Sequence, residues 1–231
     1  MSKVFINIVI PTLNEEENLK FLLPYLINEC EVDSKSIIIS DSPRSQDKSR
    51  QVAGQYNVNY LIGTSPGRAE QMNEAASNSN AQVLAFLHAD VKPPVNFVEL
   101  INKSIQKGNA FGFFAYKFAT SHPLLKINAY FTKYDGIFSG GGDQLQFIRR
   151  ETFELLEGFN TRFKVMEDFE LMDRIKRNNI KYTLLKEKVT VSDRKYQTKS
   201  YLRVNVLQLY IFVRYKLGMP PDQLAKLYAR L

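Results

Sequence analysis

Over about the first ninety residues, short apolar runs that end on polar or acidic residues alternate with stretches whose apolar positions recur every three or four residues. "VFINIVI" (Val4 to Ile10) is β-branched and closed by Pro11, the pattern of a buried strand. Asn14 then stands where it can cap a helix. Glu15, Glu16 and Glu17 occupy its first turn, Leu19, Leu22, Leu23, Leu26 and Ile27 line one face, and Pro24 kinks it. "SIIIS" (36–40), a helix over 45–56, "NYLIG", a helix over 68–79 and "VLAFLHA" (83–89) repeat the alternation. This predicts an α/β fold, a Rossmann-like, mostly parallel sheet covered by helices on both faces. Such sheets bind ligands beyond the carboxyl ends of their strands, which is where Thr12 to Glu15, Asp41 and Asp90 fall.

The second half changes character. The sequence predicts a helix from Pro93–Pro94 to about Gln106, a long strand in "AFGFFAYKFA", and a glycine-rich loop, "SGGGDQLQFIRR", that leads into another strand. A helix over 166–177, the strand "YTLLKEKVTVS", a long helix over 201–217 and a short terminal helix over 222–231 follow. With no internal repeat or linker, the chain reads as one domain with a nucleotide-side half (1–92) and an acceptor-side half with C-terminal helices (93–231).

Composition narrows the classes. Among 231 residues, 44% hydrophobic and 12% aromatic, there is enough apolar surface for a real core. The 31 Lys and Arg against 24 Asp and Glu leave a net charge of +7, which favours an anionic partner or a solvated basic surface. The positive residues are dispersed and form no reader motif, so nucleic acid is not expected. The single Cys30, with only His88 and His122, excludes a disulfide framework and a Cys/His zinc site, and points to the cytoplasm. No run reaches a membrane-spanning length. The helix "YLRVNVLQLYIFVRYKLG" describes either an interfacial helix at the inner face of a membrane or one packed on the sheet or on a second subunit of a homodimer.

Several groups invite chemistry. Asp41, Asp90 and the pair Glu167–Asp168 lie at strand ends or helix starts. Each alone is equally a cap or turn residue. Asp90 beside a diphosphate suffices to hold magnesium or manganese, and His88 would share its face on an extended strand. "SPGRAEQMNEAA" places Arg68, Gln71 and Asn73 at a helix start that suits an anion. The three glycines of "SGGGDQLQF" are a permissive turn or a close approach of substrate to backbone.

Taken in order, "IPTLNEEENL", Asp41, "GRAEQMNEA", "FLHAD", "GGGDQLQFIRR", "MEDFELMDRI" and "DRKYQTKSYLRVNVLQLYIFVRYKLGMPPDQLAKLY" resemble family 2 glycosyltransferases of GT-A fold. The likeness is greatest to the small bacterial branch associated with selenium-domain radical enzymes or arsenosugar biosynthesis. The resemblance implies an inverting transfer of a sugar from a nucleotide-diphosphate sugar to an unidentified acceptor hydroxyl, assisted by a divalent cation (Mn or Mg). It assigns Thr12, Asn14 and Glu15 to the nucleoside, Asp41 to the base, Arg68 and Asn73 to the nucleotide pocket, and Arg194 to the diphosphate. Asp90 becomes the last acid of a D-x-D metal motif whose first acid is His88 here. Asp168 becomes the general base, and Gly142, Asp143, Gln144 and Glu167 fall to the acceptor. The usual "DGGSTD" is replaced by "DSPRSQD" (41–47), so the donor is not inherited from relatives. The alternatives are a nucleotidyltransferase, against which stands the absence of glycine from "PTLNEEENL", and a non-catalytic nucleotide or membrane-surface binding module.

Overall fold

The structure, a computed structural model, describes residues 4–120, 122–136, 139–194, 196 and 200–230. Parts of the acceptor-side half, including residues 195 and 197–199 of "DRKYQTKSYLRVN", thus lie outside the described residues. Eight strands form one sheet in the order β3-β2-β1-β4-β7-β6-β8-β5. In chain order these are β1 (Ile6–Thr12), β2 (Ile37–Asp41), β3 (Asn59–Ile62), β4 (Val83–Phe86), β5 (Val91–Lys92), β6 (Phe111–Phe118), β7 (Gln146–Arg149) and β8 (Tyr182–Val191). The first four pair in parallel, β1 with β2 and β4 and β2 with β3, as the alternation predicted. β7 is inserted antiparallel between β4 and β6, and β6 and β8 run parallel. Because β4 pairs directly with β7, the two predicted halves share one continuous sheet.

Period-two burial shows why the strands are apolar throughout. Ile8 and Ile10 of β1, Ile37 and Ile39 of β2, and Val83 and Ala85 of β4 enter one core. Val9, Ile38, Leu84 and Phe86 enter the other. Helices α1 (Glu16–Pro24), α2 (Ser49–Gln55) and α4 (Phe97–Gln106) cover the first core; α3 (Arg68–Ser77), α6 (Arg150–Leu155) and α7 (Glu167–Arg177) cover the second. Strands β1, β2 and β4, covered on both faces, leave no position for the polar alternation of a half-exposed strand. Each fully buried Ile, Leu or Phe contributes roughly 1.5–3 kcal/mol relative to exposure.

Several details depart from the sequence reading. α1 does kink at Pro24, passing into a π-helical turn over Tyr25–Glu29. Asn14 does not cap it: at φ 55° its side-chain oxygen accepts from the Gln46 N–H at 2.8 Å. The cap comes instead from Asp47, whose Oδ2 accepts from the Glu16 N–H at 2.7 Å while Oδ1 accepts from the Ser49 N–H at 3.0 Å. One carboxylate thus closes the starts of both α1 and α2. Two helices were not expected, α5 (Pro123–Phe131) and α6, which continues "QFIRR" after a four-residue strand. The C-terminal pair is α8 (Tyr201–Lys216) and α9 (Pro221–Tyr228), which pack on Phe163, Val165 and Phe169 as a third apolar cluster.

Gly112 of β6 faces Phe147 of β7 in register, and a methyl group there would stand 2.3 Å from the Phe147 ring. Gly112→Ala is expected to destabilise the fold by about 1–3 kcal/mol in chemical denaturation, since both partners are fixed in the sheet. Asp47→Ala should lower stability by roughly 1–2 kcal/mol through the lost caps. Burial acts to raise the Asp47 carboxyl, but the Glu16 and Ser49 donors together hold it below the ordinary 3.8. Its contribution is therefore present above that value and fades as pH falls below it, so the wild-type advantage over Asp47→Ala should shrink in acid.

Candidate active site

At the carboxyl edge of the parallel strands, Asp41 is 4% exposed and satisfied by hydroxyls from three elements. Thr12 of β1 donates to its Oδ1 at 2.7 Å, Ser45 of the following loop donates to the same oxygen at 2.6 Å, and Tyr60 of β3 donates to Oδ2. Burial, then the bond to Asp41, pushes the Tyr60 phenol well above its usual range. Behind this group, the buried Gln71 of α3 donates from Nε2 to the carbonyls of Thr12 (2.7 Å) and Ser40 (2.6 Å), fixing the ends of β1 and β2 to one helix. Thr12 and Asp41 are thus brought together as expected. Ser45, Tyr60 and Gln71 complete the arrangement, and period alone gave no sign of the first two.

A second group forms beyond β1 and β4. Glu15 lies in the electrostatic reach of Asp90, Arg194 and Asp47. Burial and the neighbouring acids raise its carboxyl above the ordinary value, against the Asn18 amide and Arg194. Arg194 is far from Glu15 in sequence; β5 brings it in, since Val91 pairs with Val191 and the Ser192 N–H donates to the Asp90 carbonyl at 3.2 Å. Past β4 the chain alternates, with Leu87 and Ala89 buried and His88 and Asp90 partly exposed, so the latter two share a face. His88 Nδ1 stands 3.7 Å from Asp143 Oδ1, which joins the strand end to the glycine-rich loop.

The third group is the start of α7. Met166 sits in the left-handed region at φ 66°, which turns Glu167 and Asp168 into the first turn of the helix. Glu167 is 2% exposed and its Oε1 is 3.2 Å from Arg68 Nη1. The Arg68 side chain is partly exposed, at 44%; what burial it has opposes its charge, and the carboxylates of Glu167, Asp168 and Asp143 favour it. Asp168 Oδ1 accepts from the Phe169 N–H at 2.8 Å, and a methyl group on Gly141 would lie 3.8 Å from its Oδ2. Two buried glutamines hold the loop against this helix. Gln144 Oε1 accepts from the N–H groups of Gly140 (2.7 Å) and Gly141 (3.0 Å), and Gln146 Nε2 donates to the Gly140 carbonyl.

Three expected contacts take other positions. Asn73 exchanges two hydrogen bonds with the Phe159 backbone, donating to its carbonyl at 2.8 Å and accepting from its N–H at 2.9 Å. Its amide is a clip between α3 and the 157–160 turn. Gln144 and Glu167 are buried, the one bracing the glycine loop and the other standing against Arg68. Gly142 opens a 3-10 turn that carries the exposed Asp143. Asn14 contributes backbone shape through Ser45 and Gln46. A depression of about 530 Å³ beside β3, lined by Arg50, Tyr60 and Glu74, contains none of these carboxylates.

Among the described residues no three His, Cys, Asp or Glu side chains gather around one point. Asp90 with His88 still fits a hard divalent cation that takes its remaining ligands from phosphate oxygens and water, because such ions bind through one or two protein groups beside substrate phosphates.

Comparison with known proteins bears on the family and the fold. The sequence model described as "Glycosyl transferase family 2" matches residues 7–175. No curated protein gives a significant sequence match. Among solved structures, the mannosyltransferase PcManGT from Pyrobaculum calidifontis, in complex with GDP-Man and Mn2+, superposes with a TM-score of 0.71 at 16% identity, covering 100% of this chain and 70% of that one. TarS 1-349 from S. aureus in complex with UDP gives 0.66 at 14% identity, over 81% and 60%. Glucosyl-3-phosphoglycerate synthase from Mycobacterium tuberculosis, in complex with Mn2+, UDP and phosphoglyceric acid, gives 0.59 at 16%, over 94% and 80%. This chain thus spans less than two thirds of the TarS fragment. The mostly parallel sheet with its antiparallel β7 is the GT-A fold of these neighbours, and with a family match over well more than half of its length the chain belongs to glycosyl transferase family 2.

Proposed function

We propose that the protein transfers a sugar from a nucleoside-diphosphate sugar to an acceptor hydroxyl with inversion at the anomeric carbon. The observation that carries this reading is the 3.7 Å approach of His88 to Asp143, which sets the donor-side strand end against the loop beside Asp168. The solved neighbours supply support for the donor class, since their complexes hold UDP or GDP-Man, two of them with Mn2+.

On this reading the base meets Asp41. Three hydroxyl donors occupy most of its four lone-pair positions, leaving room for about one further N–H, as from the imide of uracil or the lactam of guanine. Arg194 faces the diphosphate, with Glu15 orienting it. Asp90, with His88 beside it, would hold a divalent cation, which would supply neutralisation of negative charge on the phosphates. Asp168 accepts the acceptor's hydroxyl proton as that oxygen attacks the anomeric carbon from the face opposite the diphosphate. The bond between the anomeric carbon and the phosphate oxygen breaks, and its electron pair leaves with the nucleoside diphosphate. Arg68, held by Glu167, fixes the charge distribution around Asp168. Asn14 acts through the loop it ties to Gln46, and Gly142 and Asp143 present the acceptor side.

Asp168→Asn should keep nucleotide affinity and lower transfer by about 10²–10⁴-fold, read by calorimetry and by sugar transfer with the donor that binds. Unchanged turnover would remove Asp168 from the base role. Calorimetric titration with UDP, GDP, ADP and dTDP should show one of them binding in a manganese-dependent manner, with the metal dependence lost in Asp90→Ala. Equal binding with and without metal in both proteins would rule out the cation site, and release of pyrophosphate from a nucleoside triphosphate would favour a nucleotidyltransferase instead.

A further inference from the structure

Helix α8 is apolar on two faces. Val204, Ile211, Phe212 and Tyr215 are buried toward the body of the protein, where Phe169 packs edge-on to Phe212. On the outer face Leu202, Val206, Leu209 and Val213 recur at spacings of four, three and four, and all are exposed, Leu202 to 68% and Val206 to 62%. A helix that needed only to cover the protein would carry polar residues there. Helix α5 repeats the pattern with Leu124, Ile127 and Phe131 exposed. The two helices meet at their starts, where the Tyr201 hydroxyl donates to the Leu124 carbonyl at 3.4 Å and the His122 ring stacks on Tyr201 at 5.9 Å. Both apolar rows therefore begin at one point on the surface. Among the described residues no helix is long and apolar enough to cross a membrane.

Charge selects the occupant. Residues 117–134 contain three basic residues and no acid, and residues 194–217 contain six basic residues and no acid. Lys133 lies over the rings of Tyr130 and Tyr134, its ammonium 3.7 Å from the former centroid, so an amphipathic Lys–Tyr group edges the α5 row. A second copy of this chain would bring like charges together across the same apolar surface. An anionic bilayer offers the opposite charge together with an apolar layer into which the Leu and Val side chains insert. We propose that α5 and α8 form one docking face for an anionic lipid bilayer, with the helices lying in its interface.

The face continues toward the site. Tyr201 packs on Tyr196 at 6.0 Å, Tyr196 on Phe118 at 5.5 Å and Phe118 on Tyr116 at 5.3 Å. Burial, then Asp143, pushes the Tyr196 phenol up to about 12. An unbroken row of rings thus runs from the α5–α8 junction to the loop that carries Asp143. At the other end of α8, Tyr215 and Lys216 both donate to Asp173 of α7, at 2.7 Å each, so α8 is fixed to the helix that begins with Glu167 and Asp168. Docking would place the acceptor side of the cleft close to the headgroup layer. The proposal uses none of the donor-site residues and stands or falls apart from the transfer reaction.

The test is flotation of the intact protein with vesicles of phosphatidylcholine alone and of roughly equal parts phosphatidylcholine and phosphatidylglycerol. Binding is expected to the anionic vesicles and not to the neutral ones, and to weaken with added salt. Val206→Glu with Leu209→Glu should weaken it by at least about tenfold, because both side chains leave the apolar layer. Lys126→Glu with Arg203→Glu, which leaves the apolar rows intact, should weaken it comparably through charge. Each variant is checked for an unchanged melting temperature. No binding of the wild-type protein to anionic vesicles, or undiminished binding by both variants, would overturn the proposal. A dimer in sedimentation velocity that Val206→Glu with Leu209→Glu dissolves would overturn it in favour of a second copy.

Discussion

A carboxylate buried at the end of a parallel strand is tolerable only if nearly every lone pair finds a donor, and Asp41 imposes that demand on three neighbouring elements. Thr12, Ser45 and Tyr60 meet it with hydroxyls, and in doing so they lock the ends of β1, β2 and β3 into one register. Gln71 repeats the operation on the backbone by bridging the carbonyls of Thr12 and Ser40. Removing one partner would strand a buried charge, which is more damaging than losing one hydrogen bond. The edge of the sheet is therefore rigid at the place where a nucleotide would have to be received.

The opposite side of the cleft is built on the same logic with different groups. Glu167, almost wholly buried, is paired to Arg68 across elements that are far apart in sequence. Gln144 and Gln146 fill the hydrogen-bonding needs of a loop whose glycines have no side chains of their own. In the neighbouring pairs Glu167–Asp168 and Asp143–Gln144, Glu167 and Gln144 are buried, while Asp168 is partly buried and Asp143 exposed.

Some of this was plain in the chain. Uninterrupted β-branched runs closed by Pro11, Asp41 and His88–Asp90 can be satisfied only by strands with two covered faces, so the parallel sheet and its functional edge were legible. The amphipathic period of α4 and α7 was equally clear. Helices α5 and α6 were not, since "PLLKINAYF" lacks a polar face and "RETFEL" is too short to show a period. The reading of Asn14 as a cap failed because a competing donor, the Gln46 amide, lies in a loop thirty-two residues away. The partner of Asn73, the Phe159 backbone 86 residues distant, was equally beyond reach of the sequence.

What the sequence determined by itself was therefore the fold class and which acids stand at strand ends, because hydrophobic period and strand-end polarity are local properties of a chain. What only the tertiary structure decided was the division of labour among those polar residues. Whether Glu167 meets an acceptor or Arg68, whether Gln144 touches substrate or braces glycines, and whether α8 shows one apolar face or two depend on which partners a buried group finds across the fold. That choice is governed by the cost of leaving a buried polar group unpaired, and no spacing along the chain records it.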